Sequence, residues 1–221
     1  MKKVNAIALA VSAAILALPM AASAYEKGDI LLKFGAATVV PDDKSDDIQE
    51  IAGEAVSADN ETQLGLSGTY MLSEKLGIEV LAATPFTHQI KADGGTLDGA
   101  SIGEIKHLPP TISAQYYLLG GKGKFQPYVG AGLNYTIFFH EKVGNDAAGL
   151  GYTKLKLDNS IGLAAQIGVD YQINDKWFLN ASAMYADIDT DATLTGPGAT
   201  TLHVDYDLDP MVYRLNVGYK F

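Results

Sequence analysis

The last eleven residues of this 221-residue chain, Met211–Phe221, read MVYRLNVGYKF. Apolar or aromatic residues occupy every second position of this stretch, and most of the residues between them are polar or small. A period of two over eleven residues predicts a β-strand with one apolar face and one polar face. The chain is therefore expected to end in a strand whose final residue, Phe221, lies on the apolar face.

Seven earlier segments alternate in the same way, and together with the last one they predict eight strands of 10 to 16 residues: 30–40, 62–72, 76–86, 107–118, 125–139, 158–173, 177–186 and 211–221. A tilted strand crosses the hydrocarbon core of a membrane with about 9–11 residues. Strands of soluble proteins usually have about five or six residues. The pattern favours an all-β fold, an eight-stranded antiparallel transmembrane β-barrel with apolar side chains facing lipid and polar ones facing the lumen.

The connectors and the aromatic residues support a barrel in the outer membrane. Short connectors (73–74, 119–124 and 174–175) alternate with long ones (41–60, 87–106, 140–157 and 187–203), which is typical of short periplasmic turns and long extracellular loops. Outward aromatic residues are predicted to form two girdles, one near the short turns (Tyr70, Tyr116, Phe125, Tyr171, Trp177, Tyr219, Phe221) and one near the long loops (Phe86, Tyr135, Phe139, Tyr185).

The N-terminal segment is predicted to lie outside the barrel. Lys2 and Lys3 precede the apolar run AIALAVSAAILAL (6–18), and Ala22-Ser23-Ala24 follows as a small-residue cleavage site. This order predicts a secretory signal peptide over residues 1–24 and a barrel over residues 25–221. An uncleaved membrane anchor is the alternative.

Composition excludes several classes of function. The chain has no cysteine, which excludes disulfides, thiolate catalysis and cysteine-based zinc sites. Its net charge of −10 argues against nucleic acid as a partner. The four histidines (His88, His107, His140 and His203) are predicted near the outer rim, but no H-E-x-x-H motif accompanies them. We therefore expect no enzyme and no cofactor, although a lipid-modifying site at the rim is a further alternative.

Inward positions change character along the predicted lumen. Near the short turns they are polar, and Lys33, Glu79, Asp170 and Arg214 are expected to form a paired network, because unpaired buried charges are costly. Toward the long loops the inward positions are apolar, which predicts a pocket that opens outward. Its expected lining includes Leu81, Pro85, His107, Phe138 and Met184.

Several motifs together resemble the outer membrane protein W family of small Gram-negative barrels. They are LAATPF (81–86), HLPPT (107–111), PYVGAGLNYT (127–136), GVDY (168–171), DIDT (187–190) and NVGYKF (216–221). The resemblance covers nearly all of residues 25–221, but the segment 41–60 carries no matching motif. It implies an outer-membrane barrel with a narrow apolar channel that passes small hydrophobic molecules.

The resemblance also aligns Leu81 and Met184 with positions where the family narrows its channel, which implies that they form the constriction. The alternative is that they fill a packed core in a structural or adhesive surface barrel that conducts nothing. Pro85, Pro109, Pro110 and Pro210 lie near the outer strand ends and cannot donate to a ladder. They predict either a lateral opening to the bilayer or simple strand termination at the rim.

The remaining expectations concern partners. Outer-membrane lipids, lipopolysaccharide and small hydrophobic solutes are predicted ligands, and Phe221 resembles the C-terminal signal read by the outer-membrane assembly machinery. Acidic residues crowd three outer segments and predict either divalent cations bridging to lipopolysaccharide or a solvated surface: Asp42, Asp43, Asp46, Asp47, Glu50, Glu54 and Asp59; Asp187, Asp189 and Asp191; Asp205, Asp207 and Asp209.

Overall fold

A computed structural model of the chain describes residues 24–42, 44–45 and 55–221. The strands are β1 (Ile30–Val40), β2 (Lys44–Ser45), β3 (Ala55–Ala58), β4 (Glu61–Met71), β5 (Leu76–Ala83), β6 (Phe86–Asp93), β7 (Ser101–Leu108), β8 (Thr111–Tyr117), β9 (Phe125–Val143), β10 (Lys154–Leu157), β11 (Ser160–Gln172), β12 (Trp177–Ala186), β13 (Asp189–Thr195), β14 (Thr201–Asp207) and β15 (Met211–Lys220). One short helix, α1 (Asn145–Gly149), and a 3₁₀ turn (Pro197–Ala199) complete the described elements. No helix among the described residues is both long enough and apolar enough to span a membrane.

Eight of these strands close into the predicted antiparallel barrel. Its circular order is β1, β4, β5, β8, β9, β11, β12 and β15, and β15 pairs with β1 to complete the circle. Closure pairs both edges of every barrel strand, which lipid requires because it offers no hydrogen bonds to an open edge. The predicted fold class is therefore confirmed.

The two faces of the barrel carry the predicted polarity. Outward side chains are apolar and exposed, as at Leu64, Ile161 and Leu215, which are 67%, 77% and 69% exposed. Inward side chains of the barrel strands include Lys33 of β1 and Glu79 of β5, which are buried. This inversion of the soluble pattern is the arrangement of a barrel surrounded by lipid.

An extension, which is expected to be extracellular because it carries the long connectors, stands on one end of the barrel. The 19-residue strand β9 pairs with β8 in its lower part and with β7 in its upper part, and β6 and β3 follow β7. Strands β10, β13, β14 and β2 form a second sheet. The segments 87–106 and 187–203, which are expected from the sequence to be long connectors, are mostly paired strands. Their alternation is weak in the sequence because their outward residues are polar or charged, as at Gln89 and Lys91.

The opposite end of the barrel is filled by aromatic side chains. Tyr25, Tyr117, Tyr128 and Phe178 form a buried cluster with Leu31 and Met71. The ring of Tyr25 packs edge-on against Tyr117 at 5.0 Å and against Phe178 at 6.1 Å between ring centroids. These contacts close the lumen at the end that carries the short turns.

Candidate ligand-binding site

Two apolar spaces lie above the polar part of the lumen. The lower cavity has a volume of about 20 Å³ and is lined by Leu81, Met184 and His107 together with residues such as Phe86 and Pro109. That volume holds roughly one water molecule. Leu81 and Met184 are themselves only 7% and 2% exposed, so the lumen is nearly shut at this height.

The upper pocket is much larger, about 660 Å³, and lies within the extracellular extension. Its volume falls in the usual range for sites that bind small molecules, about 300–1,000 Å³. The lining is mainly apolar and comes from six strands, the helix α1 and the loops beside them, with side chains such as Ile90, Leu97, Leu155, Leu157, Leu202 and Val204. Leu150, which also lines it, is exposed, so the pocket is open to the outside. The sequence pattern does not predict this pocket, because its walls lie in segments expected to be loops.

A continuous apolar core joins the two spaces. One buried cluster contains Leu155 and Val204 of the upper pocket and Ala186 and Ile188 of the lower cavity. Phe138 belongs to the same cluster, lines neither space, and packs on His107 at 5.7 Å between ring centroids. Phe138 therefore lies where an apolar molecule would pass from one space to the other.

The strands split where the lower cavity meets the barrel wall. The β5–β8 ladder ends at the pair Leu81–Thr111, and the β6–β7 ladder begins at the pair Phe86–His107. Residues 82–85 and 108–110 between these pairs have no ladder pairs with each other, although Ala82 and Ala83 still pair with β4 and Leu108 with β9. Two of those residues are Pro109 and Pro110, which have no backbone N–H to donate.

The lower cavity reaches this unpaired seam, because Ala82, Ala83 and Pro109 all line it. The other proline position is different. The Ala186 amide donates to the carbonyl of Pro210 at 3.2 Å, and the Ile188 amide donates to the Asp209 carboxylate at 3.1 Å. Hydrogen bonds therefore bridge the wall at Pro210. Pro109 and Pro110 accept hydrogen bonds from Asn134 and Tyr135 of β9, but none is described between them and residues 82–85.

Phe138 was expected to line the pocket but lies in the packed apolar core instead. Two further expectations about this region were wrong. Pro85 was expected to line the pocket but is exposed, and Phe86 was expected in the outer aromatic girdle but is buried and lines the lower cavity. The physical reason is the interruption at Thr84 and Pro85, which shifts the alternation by one residue. Odd-numbered residues face inward up to Leu81 and Ala83, and even-numbered residues face inward from Phe86 onward.

Below Leu81 the lumen is filled by a polar network. Lys33 Nζ lies 2.7 Å from Glu79 Oε1, and Arg214 Nη2 lies 3.4 Å from Glu79 Oε2. Arg214 also donates to the Gln166 amide oxygen at 2.7 Å and to the Ser182 hydroxyl at 2.9 Å. All these side chains are buried. Paired charges at this density leave no open axial path.

Asp170 was expected in the same network, but it belongs to a separate group of hydrogen-bonded side chains that lies closer to the short turns. It accepts hydrogen bonds from the Tyr25 hydroxyl at 2.6 Å and from the Asn180 amide at 2.7 Å. Tyr25 was not among the expected site residues, because its position in sequence, beside the predicted cleavage site, gives no sign that it enters the barrel. Together with the aromatic cluster, this group forms the floor of the lumen.

Comparison with known proteins identifies the group to which this geometry belongs. A family model described as OmpW family matches residues 26–221. The chain belongs to the OmpW family. Outer membrane protein W of Vibrio cholerae is 47% identical over 214 residues, which cover 96% of this chain and 97% of that protein. The barrel is therefore a protein of the Gram-negative outer membrane, where its apolar belt contacts membrane lipids.

Two further relatives of this OmpW-family chain are informative. The crystal structure of OprG from Pseudomonas aeruginosa is 44% identical, covers 89% of this chain and 97% of that one, and superposes with a TM-score of 0.84. A more distant relative, also from Pseudomonas aeruginosa, is 25% identical over 174 residues, 78% of each chain, and is named Dibenzothiophene metabolism operon protein PahQ.

Two histidines meet at the top of the lower cavity of this OmpW-family barrel. His88 Nε2 lies 3.2 Å from His107 Nε2, and the Nδ1 atom of His88 is 2.7 Å from the Asp59 carbonyl oxygen. Both residues lie in the extracellular extension, where the outward neighbours Gln89 and Lys106 are polar. Burial, with a smaller contribution from the neighbouring His88, lowers the pKa of His107 to about 3. His107 is therefore neutral at neutral pH.

Three of the expected acidic residues gather at the rim. One carboxylate oxygen from each of Asp187, Asp189 and Asp209 lies within 4.8 Å of the others. Burial, and then the charges of neighbouring aspartates, raise the pKa of Asp189. Asp209 already accepts hydrogen bonds from the Tyr185 hydroxyl at 2.8 Å and from the Ile188 amide. Asp43, Asp46, Asp47, Glu50 and Glu54 lie outside the described residues.

Proposed function

We propose that this barrel takes up small hydrophobic molecules from outside the cell and releases them sideways into the outer membrane. The observation that carries the proposal is the stacking of two apolar spaces above a blocked lumen, with the lower one ending at an unpaired seam in the wall. No covalent chemistry is needed for this role, and we infer that the protein is not an enzyme.

The first step is capture in the upper pocket. A pocket of about 660 Å³ can hold a molecule of a few rings or a medium-length chain, and its mainly apolar walls provide no general site for ions or sugars. Burial of apolar surface drives this binding at about 25 cal/mol per Å². The polar lipopolysaccharide layer outside is a barrier to such molecules. An apolar pocket above the membrane gives them a way through that layer.

The second step is descent past Phe138 into the lower cavity. The lower cavity is too small for such a molecule at rest, so Phe138, Leu81 and Met184 must change rotamer during passage. Methionine and leucine side chains in an apolar environment adjust at low cost, since they hold no hydrogen bonds there. We assign Leu81 and Met184 as the constriction.

The third step is lateral release through the seam. The network around Glu79 and the aromatic floor beneath Tyr25 block the axis, and an apolar molecule gains nothing by displacing paired charges. The seam between residues 82–85 and 108–110 can widen without breaking ladder hydrogen bonds, because it has none to break. The name of the PahQ relative, which refers to an aromatic sulfur heterocycle, agrees with cargo of apolar character.

The proposed partners follow from the same surfaces. Lipopolysaccharide would surround the outer belt, and the acidic rim would approach its phosphates through divalent cations. Phe221 is 67% exposed on the lipid side, which leaves its ring accessible to the outer-membrane assembly machinery before insertion.

The test is uptake of an apolar fluorescent probe, N-phenylnaphthylamine, by cells that lack the native protein and express defined variants. Cells with the wild-type protein should take up the probe faster than cells without it, and Leu81→Ala should increase the rate further by widening the constriction. Ile112→Ala, on the lipid-facing side, is the matched control and should behave as wild type. Equal rates with and without the wild-type protein would refute the proposal.

A structural or adhesive barrel with a non-conducting core is the second candidate. The filled lower half of the lumen favours it, because that half contributes stability whatever the upper half does. The same experiment separates the two functions, since a purely structural barrel would leave probe uptake unchanged.

A further inference from the structure

The hydrogen-bond partners of His88 and His107 determine which ring nitrogen of each carries the proton. The Asp59 carbonyl oxygen can only accept, so His88 Nδ1 carries the proton that it donates at 2.7 Å. In the neutral form of His88, Nε2 therefore carries a bare lone pair. The contact of 3.2 Å between the two Nε2 atoms is a hydrogen bond only if His107 Nε2 carries the proton.

This relay leaves the other nitrogen of His107 as an acceptor. With its single proton on Nε2, the neutral His107 ring has a lone pair on Nδ1, and that atom has no hydrogen-bond partner among the described residues. The residue is fully buried, with Phe86 at 5.5 Å and Phe138 at 5.7 Å between ring centroids. A buried acceptor without a donor is unfavourable, and such groups in native proteins usually have a reason.

Of the two polar side chains that line the lower cavity, His107 is the one with a hydrogen-bonding atom that is still unpaired. The other polar side chain in the lining, Asn134, is fully engaged. Its amide nitrogen donates to Thr111 Oγ1 at 2.9 Å and to the Pro109 carbonyl at 3.3 Å, and its oxygen accepts from Thr136 at 2.7 Å. The rest of the lining is aliphatic, aromatic or proline.

We propose that His107 selects cargo: once Phe138, Leu81 and Met184 have changed rotamer to admit a molecule, the lower cavity favours apolar molecules with one hydrogen-bond donor, such as phenols, indoles and aliphatic alcohols, over hydrocarbons and ethers of the same shape. The proposal rests on the proposed function, since it names the cargo of the same cavity. A donor on the cargo would pair with Nδ1 of His107, whereas a hydrocarbon would leave that atom unpaired and an ether oxygen would oppose it with a second lone pair.

The experiment compares two ligands of nearly equal shape, 2-naphthol and 2-methoxynaphthalene, of which only the first has a donor. Binding is measured by partition into lipid nanodiscs with and without the full-length barrel at neutral pH. Wild type should bind 2-naphthol about five- to tenfold more tightly than the ether, which is the effect of one satisfied buried hydrogen bond. His107→Phe should lose this preference and still bind the ether, and His203→Phe, an exposed histidine elsewhere in the extension, should keep it.

A second measurement does not depend on any variant folding. Long-range ¹H–¹⁵N spectra of the wild-type protein report which nitrogen of each histidine carries the proton. We expect protonated Nε2 and bare Nδ1 on His107, with a shift at Nδ1 when 2-naphthol is added and none with the ether.

The outcomes separate the two proposals. Equal binding of both ligands by wild type, or a proton on His107 Nδ1, would overturn the selection by His107 and leave hydrophobic uptake standing. Failure of wild type to bind either ligand would overturn the proposed function, and the selection with it.

Discussion

Replacing Glu79 by glutamine should destabilise the barrel strongly. Glu79 lies between Lys33, 2.7 Å away, and Arg214, 3.4 Å away, and the side chains of Glu79 and Lys33 are fully buried. Glutamine has nearly the same volume, so the change removes charge and leaves packing almost intact. Arg214 keeps the oxygens of Gln166 and Ser182 as acceptors, whereas Lys33 has no other acceptor among the described residues.

The expected loss follows from the cost of an uncompensated buried cation. Removing one partner of a buried ion pair typically costs about 3–5 kcal/mol. Most of that loss should arise at Lys33. The double variant Lys33→Met/Glu79→Gln should therefore recover much of the stability, because it removes the unpaired cation as well, and a pair replaced on both sides is often neutral.

The assay is reversible urea unfolding in lipid vesicles, followed by the shift in gel mobility between folded and unfolded barrel. Glu104→Gln is the control, since Glu104 pairs with Lys142 at 3.2 Å on the surface, where solvent screens the pair, and should unfold as wild type. A Glu79→Gln variant as stable as this control, or a double variant no more stable than Glu79→Gln alone, would refute the view that a tightly paired network blocks the axis.

Three further predictions concern the path and the floor. Ala83→Trp should fill the lower cavity at the seam and reduce probe uptake to that of cells lacking the protein. Ala114→Trp, on the lipid face, is the control and should not reduce it. Uptake unchanged by Ala83→Trp would exclude this route. Met184→Ala should increase uptake of bulky aromatic probes more than that of small ones, measured as a ratio of rates, and an unchanged ratio would remove Met184 from the constriction. Tyr25→Phe should lower the unfolding free energy by about 1–3 kcal/mol in the urea assay, because it leaves the buried Asp170 short of a donor, whereas Tyr213→Phe on the lipid face should change little.

The alternation of residues was sufficient to predict the barrel, because lipid imposes one polarity on the outside of every strand. Leu64, Ile161 and Leu215 all obey it. The alternation does not predict side-chain orientation where the pairing between neighbouring strands is interrupted. At Thr84 and Pro85 the ladder is interrupted, the pleat shifts by one residue, and Phe86 takes the inward place expected of Pro85. A proline in the sequence warns of such a break but does not say in which direction the chain resumes.

The site was predictable only in part, for a related reason. Leu81 and Met184 lie on barrel strands, so their register places them by the lumen, whereas His107 lies on β7 of the extension, next to the start of the barrel strand β8. The upper pocket depends on strands such as β6, β13 and β14 in the extension, where solvent on the outside weakens the contrast between faces. The pairing of His88 with His107 and the insertion of Tyr25 beside Asp170 join residues 19 and 145 positions apart, and no local pattern encodes them.

The central claim is that cargo enters from outside, stops above the Glu79 network and leaves through the wall. Photolabelling intact cells with an apolar diazirine probe, followed by mass spectrometry of the purified barrel, tests it most directly. Labels on inward residues should map to the upper pocket, the lower cavity and the seam at residues 82–85 and 108–110, and should stop above Glu79. Labels on inward residues below Glu79, such as Gln115 and Asn180, or no inward labels at all, would contradict the account.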